Sequence, residues 1–173
     1  TAVHQLKLRG CTNTEISFFS SGLAGYTNPI APADHSCDVF NLNGGKVNFL
    51  TAQSSSFDLI NGVSSGKWTF AATEDIMCVG TNGCGNANCA ELSMILWDIK
   101  SEVCLAIAKS LYQQTSIPTD TDFLGGDEFD GTYPAVINVV GDEVGGAALS
   151  GRTTGCVRHG GNEYTFYRVL IAR

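Results

Sequence analysis

The sequence predicts an α+β fold, with a truncated N-terminal helix and a second helix packed on an antiparallel β-sheet and the whole stabilised by disulfides. Three observations lead there. Two segments space their apolar residues as a helix does, several short strand-like segments are separated by turn signals, and seven cysteines are scattered along 173 residues. A chain of this length suits one domain with a real core, so residues 1–173 are expected to form a single globular domain.

The first element is read from Thr1 to Arg9. Val3, Leu6 and Leu8 give partial helical spacing, and Gly10 is a natural stop just past the helix end. A helix that begins at the first residue suggests that its upstream part is missing. Thr14–Phe19 is β-prone, and Asn28-Pro29 through Pro32-Ala33-Asp34 reads as a loop. Short strands are expected at Asp38–Asn41, Lys46–Thr51, Lys67–Thr73 and Ile76–Gly80. Asn43-Gly44-Gly45 and Asn61-Gly62 mark turns between them. In Lys67–Thr73, Trp68, Phe70 and Ala72 alternate with Lys67, Thr69 and Ala71, a half-buried antiparallel pattern.

Ala90–Leu111 carries the strongest helical pattern. Leu92, Ile95, Leu96, Ile99, Val103, Leu105, Ala106 and Leu111 form a stripe, with Glu91 near its start and Lys109 near its end to suit the helix dipole. A break near Trp97-Asp98 would divide it into a short and a longer helix. Residues 115–134 read as an acidic loop, Ala135–Val140 as a strand and Gly141–Gly155 as a Gly-rich connection. Tyr164–Arg173 closes the chain as a strand apolar on both faces, which suits a central position.

Composition excludes several functions. The formal charge is −7 with 10 Lys plus Arg and no basic run, so there is no footprint for nucleic acid or an anionic membrane surface. Charged residues make up 16%, below the usual quarter, and Gly, Ser, Thr and Asn fill the gap. That is the texture of a loop-rich extracellular protein. Cys11, Cys37, Cys78, Cys84, Cys89, Cys104 and Cys156 lack the paired CxxC or CxxC-HxxxH spacing of structural zinc sites, and disulfides are the better reading. One working pairing joins Cys11 to Cys37, Cys84 to Cys89 and Cys104 to Cys156, leaving Cys78 as a buried free thiol; other connectivities stay open.

No enzyme signature is visible. Gly62-Val63-Ser64-Ser65-Gly66-Lys67-Trp68 is one residue short of a phosphate loop and puts Trp where Ser or Thr must hold magnesium. There is no GxSxG, and His35 and His159 read as surface histidines. Asp120, Asp122, Asp127, Glu128 and Asp130 fall within eleven residues. Hard oxygen ligands at that density suit Ca²⁺, although the spacing is not an EF-hand and a solvated loop is the competing reading.

Several blocks in order resemble the pilin-like (type IV pseudopilin-type) proteins of Gram-negative bacteria. They are Leu8-Arg9-Gly10-Cys11-Thr12 leading into Thr14–Phe18, Ala31-Pro32-Ala33-Asp34 leading to Cys37–Phe40, Glu91 through Cys104, and Gly155-Cys156 followed by Tyr164–Arg173. The resemblance implies a pilin-like head and a membrane-anchoring helix upstream of Thr1. It implies a structural or assembly role in a type IV pilus-like or secretion-system pseudopilus filament at the cell surface. Its partners would be other pilin-like subunits and the inner membrane, and its place the periplasm, cell surface or extracellular filament. The prepilin cleavage site and its Glu are not in this sequence. The alternative is a secreted or membrane-tethered binding module, Ca-dependent or not, that recognises a glycan or a protein.

Overall fold

The structure, a computed structural model, describes residues 1–20, 23, 26–58, 66–80, 90–122, 128–134 and 138–173. The chain divides into two compact units: a smaller one of Thr1–Leu50 and Asp127–Tyr133, and a larger one of Thr51–Gly126 and Pro134–Arg173.

The smaller unit opens with helix α1, Ala2–Leu8. The Thr1 hydroxyl caps it by accepting the His4 N–H. Gly10 ends it as expected: at φ 103° it lets its own N–H reach Lys7 O and that of Cys11 reach Leu6 O, the paired bonds of a Schellman stop. Val3 and Leu6 are buried, whereas Leu8 is exposed. A disulfide then joins Cys11 to Cys37. Ser17 and Asp38 form a parallel bridge, with Ser17 N–H on Cys37 O and Val39 N–H on Ser17 O.

The strands expected at Asp38–Asn41 and Lys46–Thr51 do not form. Asn41 Oδ1 takes the Asn43 N–H, and its carbonyl takes those of Gly44 and Lys46. Local bonds from an Asn thus displace a ladder. Gly44 is required here, because a Cβ would lie 1.9 Å from Asp38 O. In place of a sheet, this unit gathers an aromatic core. Phe18 meets Phe40 and Phe129 at 6.3 and 6.4 Å between ring centroids, Phe40 meets Phe49 at 5.4 Å, and Phe129 meets Tyr133 at 5.3 Å.

The larger unit holds strands β1 (Trp68–Ile76), β2 (Glu91–Leu96), β3 (Asn138–Val140), β4 (Thr154–Arg158) and β5 (Tyr164–Ile171), and helix α2 (Ser101–Tyr112). They form one sheet in the order β3-β1-β2-β5-β4. The α+β class therefore holds, but the sheet is mixed: β3 runs parallel to β1, while β1–β2, β2–β5 and β5–β4 are antiparallel. β2 holds the centre, and β5 is an interior strand beside it with one face (Thr165, Tyr167, Ile171) buried and the other carrying the exposed Arg168.

Three expectations need correction. Ala90–Leu111 is not one helix or two: its first half is strand β2, and Asp98, in left-handed backbone at φ 52°, lies in the turn before α2. β2 is buried on both faces between β1 and β5, so its apolar residues fit a helical stripe as well as a central strand. β1 is likewise buried on both faces rather than half-buried, and it extends to Ile76, after which the chain turns at Met77–Cys78. β4 was hidden because its start looks like the end of a Gly-rich connection. Gly155 has a packing reason, since a Cβ there would come within 2.5 Å of the Tyr167 ring.

α2 packs on β4 and β5, and the disulfide Cys104–Cys156 ties it to β4. That bond lies among Leu96, Ile99, Trp68 and Phe166. A second cluster surrounds Ile76, Ile95, Ala108, Leu149, Val157 and Tyr167. Cys78 is not a free thiol: it is disulfide-bonded. Its place in a tight turn, with φ 63°, exposes what a mid-strand position would have hidden. Cys84, Cys89, Asp127 and the Asn61-Gly62 turn lie outside the described residues. The disulfides place the folded chain in an oxidising environment. Among the described residues no helix is long and apolar enough to cross a membrane.

Candidate functional site

The acidic residues expected to gather around Ca²⁺ belong to different units. Asp120 and Asp122 are in the larger, Glu128 and Asp130 in the smaller. Asp120 is fully buried and organises loops: its Oδ2 accepts the Gly141 N–H at 2.7 Å and its Oδ1 the Asp122 N–H at 3.2 Å. Burial raises its pKa, against the pull of those two N–H groups. Gly146 lies so close that a Cβ would meet Asp120 Oδ2 at 2.1 Å. The Thr121 hydroxyl and N–H both bind the Glu143 carboxylate. Asp130 accepts the Thr132 N–H and hydroxyl, which hold its pKa below the usual range. Among the described residues, no three His, Cys, Asp or Glu side chains come together as a metal site.

One of the two histidines, His159, differs from its surface reading; His35 keeps it, with its side chain half exposed. His159 is buried, with Nε2 2.6 Å from Thr165 Oγ1 and its ring edge-on to Trp97. Burial lowers its pKa, and the charges of Glu163 and Asp98 pull the other way. His35 lies in a cleft of about 290 Å³ in the smaller unit. Its Nδ1 donates to Asp38 Oδ2 at 2.7 Å, and the Asp38 side chain is only 2% exposed. The Phe19 ring stacks on the imidazole at 6.2 Å. The backbone of His35 is left-handed, at φ 60°, a conformation that costs free energy and persists only where its surroundings enforce it.

The cleft is built by loop chemistry. Asn28 holds it open from below: its amide donates to Thr14 O and Ile16 O, both at 2.8 Å, while Oδ1 accepts the Ile30 N–H. Pro29, Ala31, Pro32 and Ala33 supply an apolar wall. A carboxylate that fixes an imidazole through Nδ1 leaves Nε2 of the neutral ring as an acceptor. The same arrangement orients catalytic bases, but Ser17, which lines the cleft, is buried and its hydroxyl oxygen accepts the Phe19 N–H. It is not presented as a nucleophile. Binding is the chemistry this arrangement offers. The sequence did carry a trace of it, since His35 and Asp38 stand three apart beside a Pro-rich loop.

A third polar cluster lies inside the larger unit. Glu74, Asp75 and Glu91 are all fully buried, and Glu74 pairs with Glu91 across β1–β2. Glu91 Oε2 accepts the Ile76 N–H at 2.7 Å, whereas Oε1 has no hydrogen-bond partner among the described residues. Burial is the main reason its pKa is pushed up to about 8, with the neighbouring Asp75 adding to it. The residue expected to complement a helix dipole is instead a neutral core carboxyl. No family model matches this sequence, nor does any curated protein or solved structure.

Proposed function

We propose that this chain is the head of a pilin-like filament subunit, a structural component that works by packing against other subunits in a type IV pilus-like or pseudopilus assembly. One observation carries the reading. Of the eight large apolar side chains that stand exposed among the described residues, six (Leu8, Phe19, Ile30, Leu42, Val47 and Leu50) belong to the smaller unit. Leu8, Leu42 and Leu50 are 75, 81 and 76% exposed. Exposed apolar side chains gathered in one unit supply the material of an interaction face. The Arg9 guanidinium donates to Gly44 O and so sets the end of α1, with Leu8, beside the turn that carries Leu42. The order of the sequence blocks and the disulfide that follows α1 point the same way.

The test is the native protein in sheared cell-surface material. The reading expects it there, with Leu8→Asp and Leu42→Asp variants that fold normally but are lost from that fraction. A native protein that stays monomeric and never enters sheared material refutes the assembly role.

A further inference from the structure

We propose that the His35–Asp38 cleft of the smaller unit binds a neutral ring bearing hydroxyl donors, in chemical terms a single saccharide unit. The inference does not depend on whether the chain assembles into a filament.

The hydrogen-bond inventory of the cleft selects the ligand. Pro29 and Pro32 have no N–H to offer. The N–H groups of Ser17, Phe19, Ala31, His35 and Asp38 are all spent inside the loop, on Cys37 O, Ser17 Oγ, Asn28 O, Pro32 O and His35 O. Both amide protons of Asn28 are spent on Thr14 and Ile16. Thr27 adds a hydroxyl that can donate or accept, and Nε2 is the ring nitrogen of His35 that the Asp38 bond leaves over. A fitting ligand brings hydroxyl groups, which donate or accept as each partner requires.

Charge narrows the choice. Among the described residues that line the cleft there is no Lys or Arg. The carboxylate of Asp38 sits behind His35 and is used by it. An anion meets no Lys or Arg here, the His35 ring being turned to Asp38, and a cation cannot reach Asp38, which is 2% exposed. A neutral ligand loses least on entering. Shape agrees: the volume of about 290 Å³ is at the small end of ligand sites and suits one ring rather than a polymer. Phe19, 45% exposed, and the two prolines offer apolar faces for the C–H side of a sugar ring, while its hydroxyls reach His35.

The strain at His35 fits this role. A left-handed histidine stacked by Phe19 and held by a buried carboxylate is oriented before a ligand arrives, which lowers the ordering cost of binding.

Saturation-transfer NMR with methyl α-glucopyranoside and methyl β-galactopyranoside tests the proposal, with propylammonium chloride as the cationic control. At least one glycoside should show transfer and shift the Phe19 and His35 resonances, with a Kd in the millimolar range. Phe19→Ala should weaken binding about tenfold or more, a loss of about 1.4 kcal/mol. His35→Asn, which tolerates a left-handed backbone, should do the same, and the unbound spectra of both variants should remain those of a folded protein. Absence of transfer from either glycoside overturns the proposal. So does binding of propylammonium at these residues without glycoside binding, or glycoside transfer that persists unchanged in both variants.

Discussion

The two units of this chain solve the same problem with different materials. The larger satisfies its backbone through a five-stranded ladder and can therefore bury carboxyl groups, with Glu74, Asp75, Glu91 and Asp120 all fully enclosed. The smaller has one seven-residue helix and isolated bridges. It relies on a disulfide, an aromatic cluster and side chains such as Asn28 that serve as substitutes for a ladder. A sheet secures order through many repeated bonds, each worth little; a loop-built unit secures it through a few bonds that are each hard to replace.

The largest test concerns the buried Glu91. Its folded pKa of about 8 lies above the ordinary value of 4.5. Between those two values the unfolded chain loses a proton that the folded chain keeps. Its contribution is therefore most favourable below pH 4.5, erodes as pH rises, and stops changing above about pH 8. The total loss is on the order of 5 kcal/mol. Buried His159, with a lowered pKa, acts in the opposite sense, costing stability as pH falls through 6.5. Urea midpoints measured across pH should fall less steeply in Glu91→Gln than in the parent, and the variant should be the more stable at pH 9. Equal slopes in both proteins would remove Glu91 from the account.

The disulfides compare the units directly. The Cys11–Cys37 and Cys104–Cys156 bonds span separations of 26 and 52 residues, which chain entropy values at about 3.5 and 4 kcal/mol. The energies are close, but the consequences should differ. Replacing Cys104 and Cys156 by Ala should lower stability while the β1–β2 amides stay protected in hydrogen exchange. Replacing Cys11 and Cys37 should abolish protection from Ser17 to Val39, where no ladder stands in reserve. Cys78 and the four cysteines of those two bonds are all engaged. With seven cysteines in the sequence, thiol titration of the folded protein should find about one thiol per chain.

Asn28 offers a finer test of the smaller unit. Asn28→Asp keeps the shape but turns two donors toward carbonyls into acceptors, and should cost about 2–3 kcal/mol. Gly131, with φ 96°, sits where a Cβ would lie 2.4 Å from Asn28 Oδ1, so Gly131→Ala should also destabilise this unit. The two costs should combine non-additively in the double variant, because the sites touch. Independent, fully additive losses would show that Asn28 is not the hub proposed for it.

The same contrast explains what the sequence revealed. Elements fixed by short-range chemistry were legible: Gly10 stops α1, and the apolar run Tyr164–Ile171 is an interior strand. The disulfides joining Cys11 to Cys37 and Cys104 to Cys156 were legible too, as a working pairing. What stayed hidden depends on tertiary position. β2 looked helical because enclosure on both faces erases the alternation that marks a strand. β3 could not be known to be parallel, since three residues carry no direction. The turns after Asp38 looked like strands because their apolar residues, Val39 and Phe40, were visible while the capture of backbone bonds by Asn41 was not. The His35 cleft was missed for a similar reason. His35 is exposed, as it read; what the sequence does not show is the buried Asp38 behind it and the Pro-rich wall beside it.

The smallest effect asks whether the larger unit depends on any single surface bond. The guanidinium of Arg152 lies 5.0 Å from the centre of the Tyr112 ring. Tyr112 donates its hydroxyl to Thr154 O, and Tyr167 donates to Arg152 O at 3.1 Å. Arg152 thus contributes both a side chain over one tyrosine and a carbonyl to another, and only the first is lost on mutation. Arg152→Met keeps the carbonyl and much of the apolar contact, so the change should cost no more than about 1 kcal/mol. Burial pushes the Tyr112 pKa up to about 12, and the Arg152 charge pulls it down. Removing that charge should move the alkaline titration of Tyr112, followed by ultraviolet absorbance, still higher. A large stability loss without that shift would mean that Arg152 acts through packing alone, and that even in the larger unit the ladder leaves some of its order to individual side chains.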